Sequence, residues 1–467
     1  MVTKTRNKED LLHDINEIQL ALGHEWSPEQ ESIILCNERE ILVGGGERGG
    51  KSYVSAEYYN VRFWEGDLYW IAGRDYDRCH AEFEYIALAM IALGAVQPDD
   101  VHTPQNGQWH MKLNTGATIK TWSLKDWLKV GFEAPDGILI AEVAQITHTE
   151  YTRLCDRTAE KRGWVLGSGT FESSLGWFPE QWKLYQLPGE GGKSFSLPSW
   201  SNLFVFPGGY DDPEIQRLKA KHPPDHFSER WGGVPCPPKG LVFPEFRYLI
   251  HVKEMEIQDA PIYLWIDPGY DGAYAVEAIQ IFGETVHVVD EIYEQGLVTE
   301  QIADVVLQKP WARLIAGGVA DIAVRQHQAM PAVEEVWLEK GITLTSNFVK
   351  EEEGRERLHT FLTVNPIDHQ PRLFIDPKCK GILSEFGAAP NPFTEEAAPY
   401  KWKEDRVGTI IGQHPEDKNN HGIKALIYGL VDRFGYAGGS RNRVTEVHSL
   451  GSGIHRLNKH RLNRNRR

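Results

Sequence analysis

Gly45, Gly50, Lys51 and Ser52 fall at the spacing G-x-x-x-x-G-K-S within the run ILVGGGERGGKS. Residues of these types at this spacing hold phosphate. The backbone N–H groups of the turn Gly45, Gly46, Glu47, Arg48, Gly49 and Gly50 surround a β-phosphate, the Lys51 ammonium reaches the β/γ oxygens, and the Ser52 hydroxyl holds Mg²⁺. The chemistry this points to is ATP hydrolysis, which also needs a carboxylate to polarise water. Glu142, at the end of the apolar run GILIAE, is the candidate general base. An aspartate beside it would complete the usual acidic pair, but Ala141 stands there, leaving Ser52, water and phosphate oxygens to hold the ion. Arg48, inside the loop, is placed to neutralise transition-state charge in cis. Gln30 in SPEQ offers an amide to read adenine, and Thr170, ending GSGT, offers a hydroxyl to sense the γ-phosphate.

A second set of residues suits phosphodiester cleavage. Asp267 ends the apolar run IYLWID before a Pro-Gly turn, and Asp321 ends LIAGGVAD in the same way. A carboxylate at the end of a buried strand is costly unless it is solvated or binds something. If the two strands are neighbours, both carboxylates converge on shared divalent metals, Mg²⁺ or Mn²⁺, in a two-metal site. The third ligand is expected from EDKNNHGIKAL, with Asp417 first, His421 as ligand or phosphate donor, and Glu416 behind them. Asp271 is a weaker helper, and Asp290 and Glu291 rank lower because they end a hairpin strand.

The elements that must position these groups follow from the pattern. After the glycine loop comes the helix-compatible SYVSAEYYNVRFW, then apolar runs alternating with polar helical stretches, which predicts an α/β fold with a mostly parallel sheet. From about 193 the texture breaks into short pieces with PSW, FPGG, HPPDH and PCPPKG. Three strand-like runs then begin at PIYLWID, followed by alternating helices and strands and a last helix HGIKALIYGLVDRFG, an order of ribonuclease-H type. The expected segments are 1–25 at the start, a P-loop ATPase domain over 26–192, a linker subdomain over 193–255, an RNase H-like nuclease domain over 256–438 and a basic tail over 439–467.

Length and composition set the bounds. The 467 residues suffice for two or three domains, and a 41% hydrophobic fraction is ordinary for a globular protein. No run approaches the length of a membrane span, the charged start lacks the apolar core of a secretory signal, and the five cysteines are widely spaced. A soluble intracellular protein is expected. The net charge is −16, yet the segment 439–467 carries eight Lys or Arg against Glu446 alone, which suits an acidic partner.

A hydrolytic phosphate loop followed on one chain by a metal-dependent nuclease resembles the large terminase subunit of tailed bacteriophages. The resemblance rests on SPEQ, GGGERGGKS, ILIAE, GSGT, IDPG, VAD and HGIKALIYG in this order, from Trp26 to Gly435. Members usually carry Asp-Glu where this chain has Ala141-Glu142, and Asp-His and Asp-Ala-Leu where it has Asn420-His421 and Lys424-Ala425-Leu426. The resemblance implies an ATPase that translocates double-stranded DNA into a procapsid and a nuclease that cuts the concatemer at the start and end of packaging. It implies the portal protein and the small terminase subunit as partners, and a homo-oligomeric ring, a pentamer in relatives. Its place would be the host cytoplasm, transiently at the procapsid, with no membrane. The competing readings are an assembly or docking ATPase with a dead nuclease, and a helicase-nuclease of DNA repair.

Overall fold

The computed structural model describes residues 8–125, 130–270, 272–321, 332–405 and 410–437; the basic segment 439–467 and Asp271 lie outside the described residues. The chain divides into two compact units, residues 1–256 with 374–420, and residues 257–373 with 421–467.

In the first unit, strands β1 (Glu40–Gly45), β2 (Leu68–Gly73), β3 (Val101–His102), β4 (His110–Lys112), β5 (Thr118–Ser123), β6 (Gly137–Ala141), β7 (Trp164–Gly169) and β8 (Lys193–Leu197) form one sheet in the order β3-β4-β5-β2-β6-β7-β1-β8. Six neighbouring strands, from β5 to β8 in that order, pair in parallel, and β3 and β4 add an antiparallel edge. Every residue of β6 and β7 is buried, as a parallel sheet covered on both faces requires. The core joins Ile41, Val43, Ile71 and Leu166 to Tyr58 and Phe83 from the helices Lys51–Asn60 and Tyr76–Ala92. Buried Glu57 ties the start of the chain to this core: Trp26 Nε1 donates to its Oε2 at 2.8 Å, and His24 Nδ1 lies 3.0 Å from the same oxygen. Hydrogen bonding to Glu57 holds the His24 imidazole above its usual value.

The first sheet runs past residue 192, because β8 pairs with β1 along its length. Beyond it, Phe206, Ile215, Phe227 and Trp231 form a small core of their own. The chain also returns to this unit over 374–420 instead of remaining in the second unit. Aromatic burial accounts for the return: Phe386 stacks on Phe246, with centroids 4.3 Å apart, and meets Phe243 edge-on.

In the second unit, β9 (Ile262–Asp267), β10 (Tyr274–Phe282) and β11 (Thr285–Glu294) make an antiparallel meander. β12 (Ile315–Asp321) pairs in parallel with β9 and with β13 (Leu344–Asn347), giving the run β13-β12-β9-β10-β11 within a six-stranded sheet whose last strand is Leu373–Ile375. The helix His421–Phe434 packs across β9, β10 and β12. Its Gly429 lies so close to β9 that a Cβ there would sit 1.8 Å from Cδ2 of Trp265. Among the described residues no helix is long and apolar enough to cross a membrane.

Candidate functional sites

The phosphate loop leaves β1 between buried Gly44 and the helix that Lys51 begins. Gly46 N donates to Leu197 O at 2.9 Å, and a Cβ on Gly46 would fall 2.3 Å from Trp231 O, so only glycine lets the loop pass here. Gly50 has φ +89 and Arg48 φ +57. These left-handed conformations turn the chain sharply, although Arg48 takes its own at the steric cost of a Cβ. Glu47 pairs with Arg230 at 2.5 Å, and Asn202 Nδ2 donates to Arg48 O at 2.7 Å, so neighbouring segments brace both residues.

β7 lies between β1 and β6, and this order brings the chemistry together. Lys51 Nζ donates to Thr170 Oγ1 at 2.8 Å, just beyond the tip of β7. Glu142 follows β6 directly with φ +49 and ψ +57, a strained turn that leaves it half-buried at the strand's carboxyl end. Glu142 and Thr170 share a cavity of about 370 Å³ with Arg78, His226 and Arg230. Ser52 is half-buried on the first turn of its helix. Gln30 is committed locally: its Oε1 accepts from Ser27 N at 3.0 Å in a capping box. Its amide nitrogen lies 3.3 Å from where a Gly50 Cβ would be, so only the NH₂ group faces the loop.

Two groups here escape a motif-based reading. Arg78 follows no motif and enters the cavity from the N-terminal turn of the helix Tyr76–Ala92. Glu82, one turn further, is only 3% exposed. Burial pushes its carboxyl up to about 7, against a hydrogen bond from Ser52 and the charge of Lys51, while the charge of Glu142 adds to the rise. Helical spacing does point to its burial, because it lies three residues from Cys79 and four from Ile86 on the apolar stripe Cys79, Phe83, Ile86, Met90.

In the second unit the register Ala320↔Ile266 sets Asp321 beside Asp267 at the ends of neighbouring parallel strands. Trp265 and Asp267, two apart on β9, share one face, as a strand's period dictates. His421, at the start of its helix, places Nδ1 2.8 Å from Asp267 Oδ2. With Asp267 ionised, Nδ1–H donates and Nε2 remains the acceptor of a neutral ring. Gly272 makes room for that ring, since a Cβ there would lie 2.5 Å from Nε2. Burial pushes the Asp267 carboxyl up, against His421 and Lys424, and the neighbouring charge of Asp321 pushes the same way. Tyr428 OH donates to Asp321 Oδ2 at 3.2 Å, and burial raises that phenol.

Asp267, Asp321 and His421 are thus brought to one end of one sheet. Asp417 is exposed and accepts from Asn420 Nδ2 at 3.3 Å. Asp290 is taken by Lys309 Nζ at 3.0 Å and Trp311 Nε1 at 2.7 Å. Among the described residues no three His, Cys, Asp or Glu side chains gather closely enough to hold a metal ion. The pair of hard carboxylate oxygens on adjacent strands nevertheless has the donor chemistry that Mg²⁺ and Mn²⁺ prefer.

No family model matches the chain, and no curated protein does. Among solved structures, the chain is similar to the large terminase of a thermophilic bacteriophage in complex with ADP, at 14% identity over 87% of this chain and 99% of that one, with a TM-score of 0.38. It is also similar to the large terminase ATPase domain of Thermus phage P74-26, at 17% identity over 47% of this chain and 98% of that one, TM-score 0.37. A third likeness is to the large terminase nuclease domain of bacteriophage SPP1 with bound Mn, at 21% identity over 41% of this chain and 98% of that one, TM-score 0.29.

Proposed function

We propose that this chain is a DNA-packaging motor of the large terminase kind, an ATP-driven translocase of double-stranded DNA joined to a metal-dependent endonuclease. The observation that carries the reading is the pairing, on one chain, of a phosphate loop whose lysine meets Thr170 with strand-end carboxylates Asp267 and Asp321 beside His421. A kinase needs the first site only, and a simple nuclease only the second.

At the first site Lys51 and the loop N–H groups hold the β/γ phosphates, and Ser52 holds Mg²⁺. Glu142 orients and deprotonates the attacking water, Arg48 neutralises phosphate charge in cis, and Thr170 couples loss of the γ-phosphate to β7. At the second site Asp267 and Asp321 hold Mg²⁺ or Mn²⁺, which supply Lewis acidity and an activated water. His421 orients Asp267 through Nδ1–H, which leaves the Nε2 lone pair to ligate a metal ion, whereas only the protonated ring would donate to a phosphate; Asp417 is the remaining ligand candidate. The motor would work as a ring on the portal protein, with the small terminase subunit, in the host cytoplasm. The basic segment 439–467 fits a DNA or portal contact, since gripping DNA without reading sequence needs phosphate contacts alone.

Supercoiled plasmid incubated with the purified chain and Mg²⁺ or Mn²⁺ tests the nuclease. Cutting is expected in the wild type and absent in Asp267→Ala, while DNA-stimulated ATP turnover survives that change and is lost in Lys51→Ala. Intact DNA with either metal would instead favour an assembly ATPase with a silent nuclease, the reading that the exposed position of Asp417 supports.

A further inference from the structure

The acidic pair expected at the end of β6 is incomplete. Ala141, 1% exposed, occupies the place of the missing aspartate, and the strand β6, Gly-Ile-Leu-Ile-Ala, carries no side-chain donor ahead of Glu142. A divalent cation between Ser52 and the phosphates still needs an anionic group nearby to orient its waters.

Glu82 lies where such a group is wanted. Its helix packs against the phosphate-loop helix Lys51–Asn60, and Ser52, Lys51 and Glu142 are all near enough to act on its carboxyl. Its side chain is almost wholly removed from solvent, yet Oε2 has no hydrogen-bond partner among the described residues. A buried carboxylate oxygen left unpaired costs free energy that a purely structural role does not recover. A hydrated cation at Ser52 would supply the partner. The neighbouring Glu84, exposed on the same helix, has no such surroundings.

We propose that Glu82 positions the nucleotide's divalent cation, so that an acid from the helix Tyr76–Ala92 does the work of the aspartate absent at Ala141. This rests on the phosphate-loop reading above. Glu82 acts through Ser52 and through water on the ion and is therefore a positioning residue.

The test is the equilibrium affinity of the full chain for a fluorescent ATP analogue, measured with Mg²⁺ and again with EDTA, in wild type, E82Q, E82D and E84Q. Removing a group that orients a metal's ligands typically costs about 10–100-fold in metal affinity. The Mg²⁺-dependent tightening seen in wild type should therefore shrink by that order in E82Q, while affinity in EDTA is kept or improves as a negative charge leaves the phosphates. E84Q should match wild type, and E82D should fall between. A wild-type ratio of the two affinities in E82Q overturns the proposal. If E82Q fails to fold, as judged by its melting curve, the E82D ratio decides in the same way. A wild type that binds no nucleotide under either condition would sink the phosphate-loop reading itself, whereas nucleotide binding with an unchanged ratio sinks only the role of Glu82.

Discussion

Replacing Gly429 by alanine sets two physical effects against each other, and the structure says which one wins. Alanine is the better helix former by about 1 kcal/mol, so propensity alone predicts a gain in stability. Against this, the new Cβ would stand 1.8, 2.1 and 2.3 Å from three ring atoms of Trp265, where carbon atoms settle at about 3.5–4.0 Å. Helix or ring must retreat by roughly 1.5–2 Å, a distance inferred from those ordinary contacts. Neither can do so freely, since Trp265 is 3% exposed and Leu426, Leu430 and Ile266 are fully buried. Overpacking of this kind costs about 1–3 kcal/mol, and rigid surroundings place it at the upper end, so about 2 kcal/mol of net destabilisation remains. For a unit of this size that lowers the melting point by about 4–8 °C. Scanning calorimetry reads it directly, and the same retreat would pull His421 from Asp267 and weaken metal-dependent cutting. In a double-mutant cycle Trp265→Val should recover much of the loss. A Gly429→Ala protein that melts at or above the wild-type temperature would refute the close-packing argument, because propensity would then be the larger effect.

Two further outcomes follow from the first unit. Thr170→Val removes the hydroxyl that accepts from the Lys51 ammonium; a hydrogen bond to a charged group is worth about 1.5–3 kcal/mol. ATP turnover should drop by roughly 10–100-fold in kcat with little change in KM, and equal losses in binding would contradict a role in sensing the γ-phosphate. His24 contributes pH-dependent stability. With its folded pKa raised by Glu57, its contribution is complete below the ordinary value of 6.5 and is lost as pH rises through the folded value. Urea denaturation across this window should show wild type losing more stability with rising pH than His24→Gln, and parallel curves would show that the pair contributes nothing.

Much of both sites is legible in the sequence because it obeys local rules. The phosphate loop is contiguous, Glu142 and Asp267 end apolar runs, and the ribonuclease-H order sets β12 beside β9, so Asp321 meets Asp267. What escapes is set by packing between distant segments. The apolar stripe of its helix points to the burial of Glu82, but nothing in the sequence says that the phosphate-loop helix is what packs against it. Gln30 offers an amide to a base, yet its oxygen caps its own helix through Ser27. His421 is one acid-or-base candidate among three in EDKNNHG, and only the helix's approach to β9 separates it from exposed Asp417. Residues 374–420 carry no signal of leaving one unit for the other, because apolar runs such as RLFID fit either core.

The return of 374–420 has a consequence for how the molecule is made. The first unit is assembled from two stretches of chain, with Phe243 and Phe246 waiting for Phe386 and Leu241 bridging to Lys401. On a ribosome, which extends a chain from its N-terminus at about 5–20 residues per second, those aromatic rings emerge well before their partners exist. Sticky surface is thus exposed for several seconds of translation, and the unit carrying the phosphate loop closes only after most of the other has been synthesised. A gene fragment ending at residue 256 would make that delay permanent, yielding a product prone to chaperone capture and aggregation rather than a free-standing folded unit.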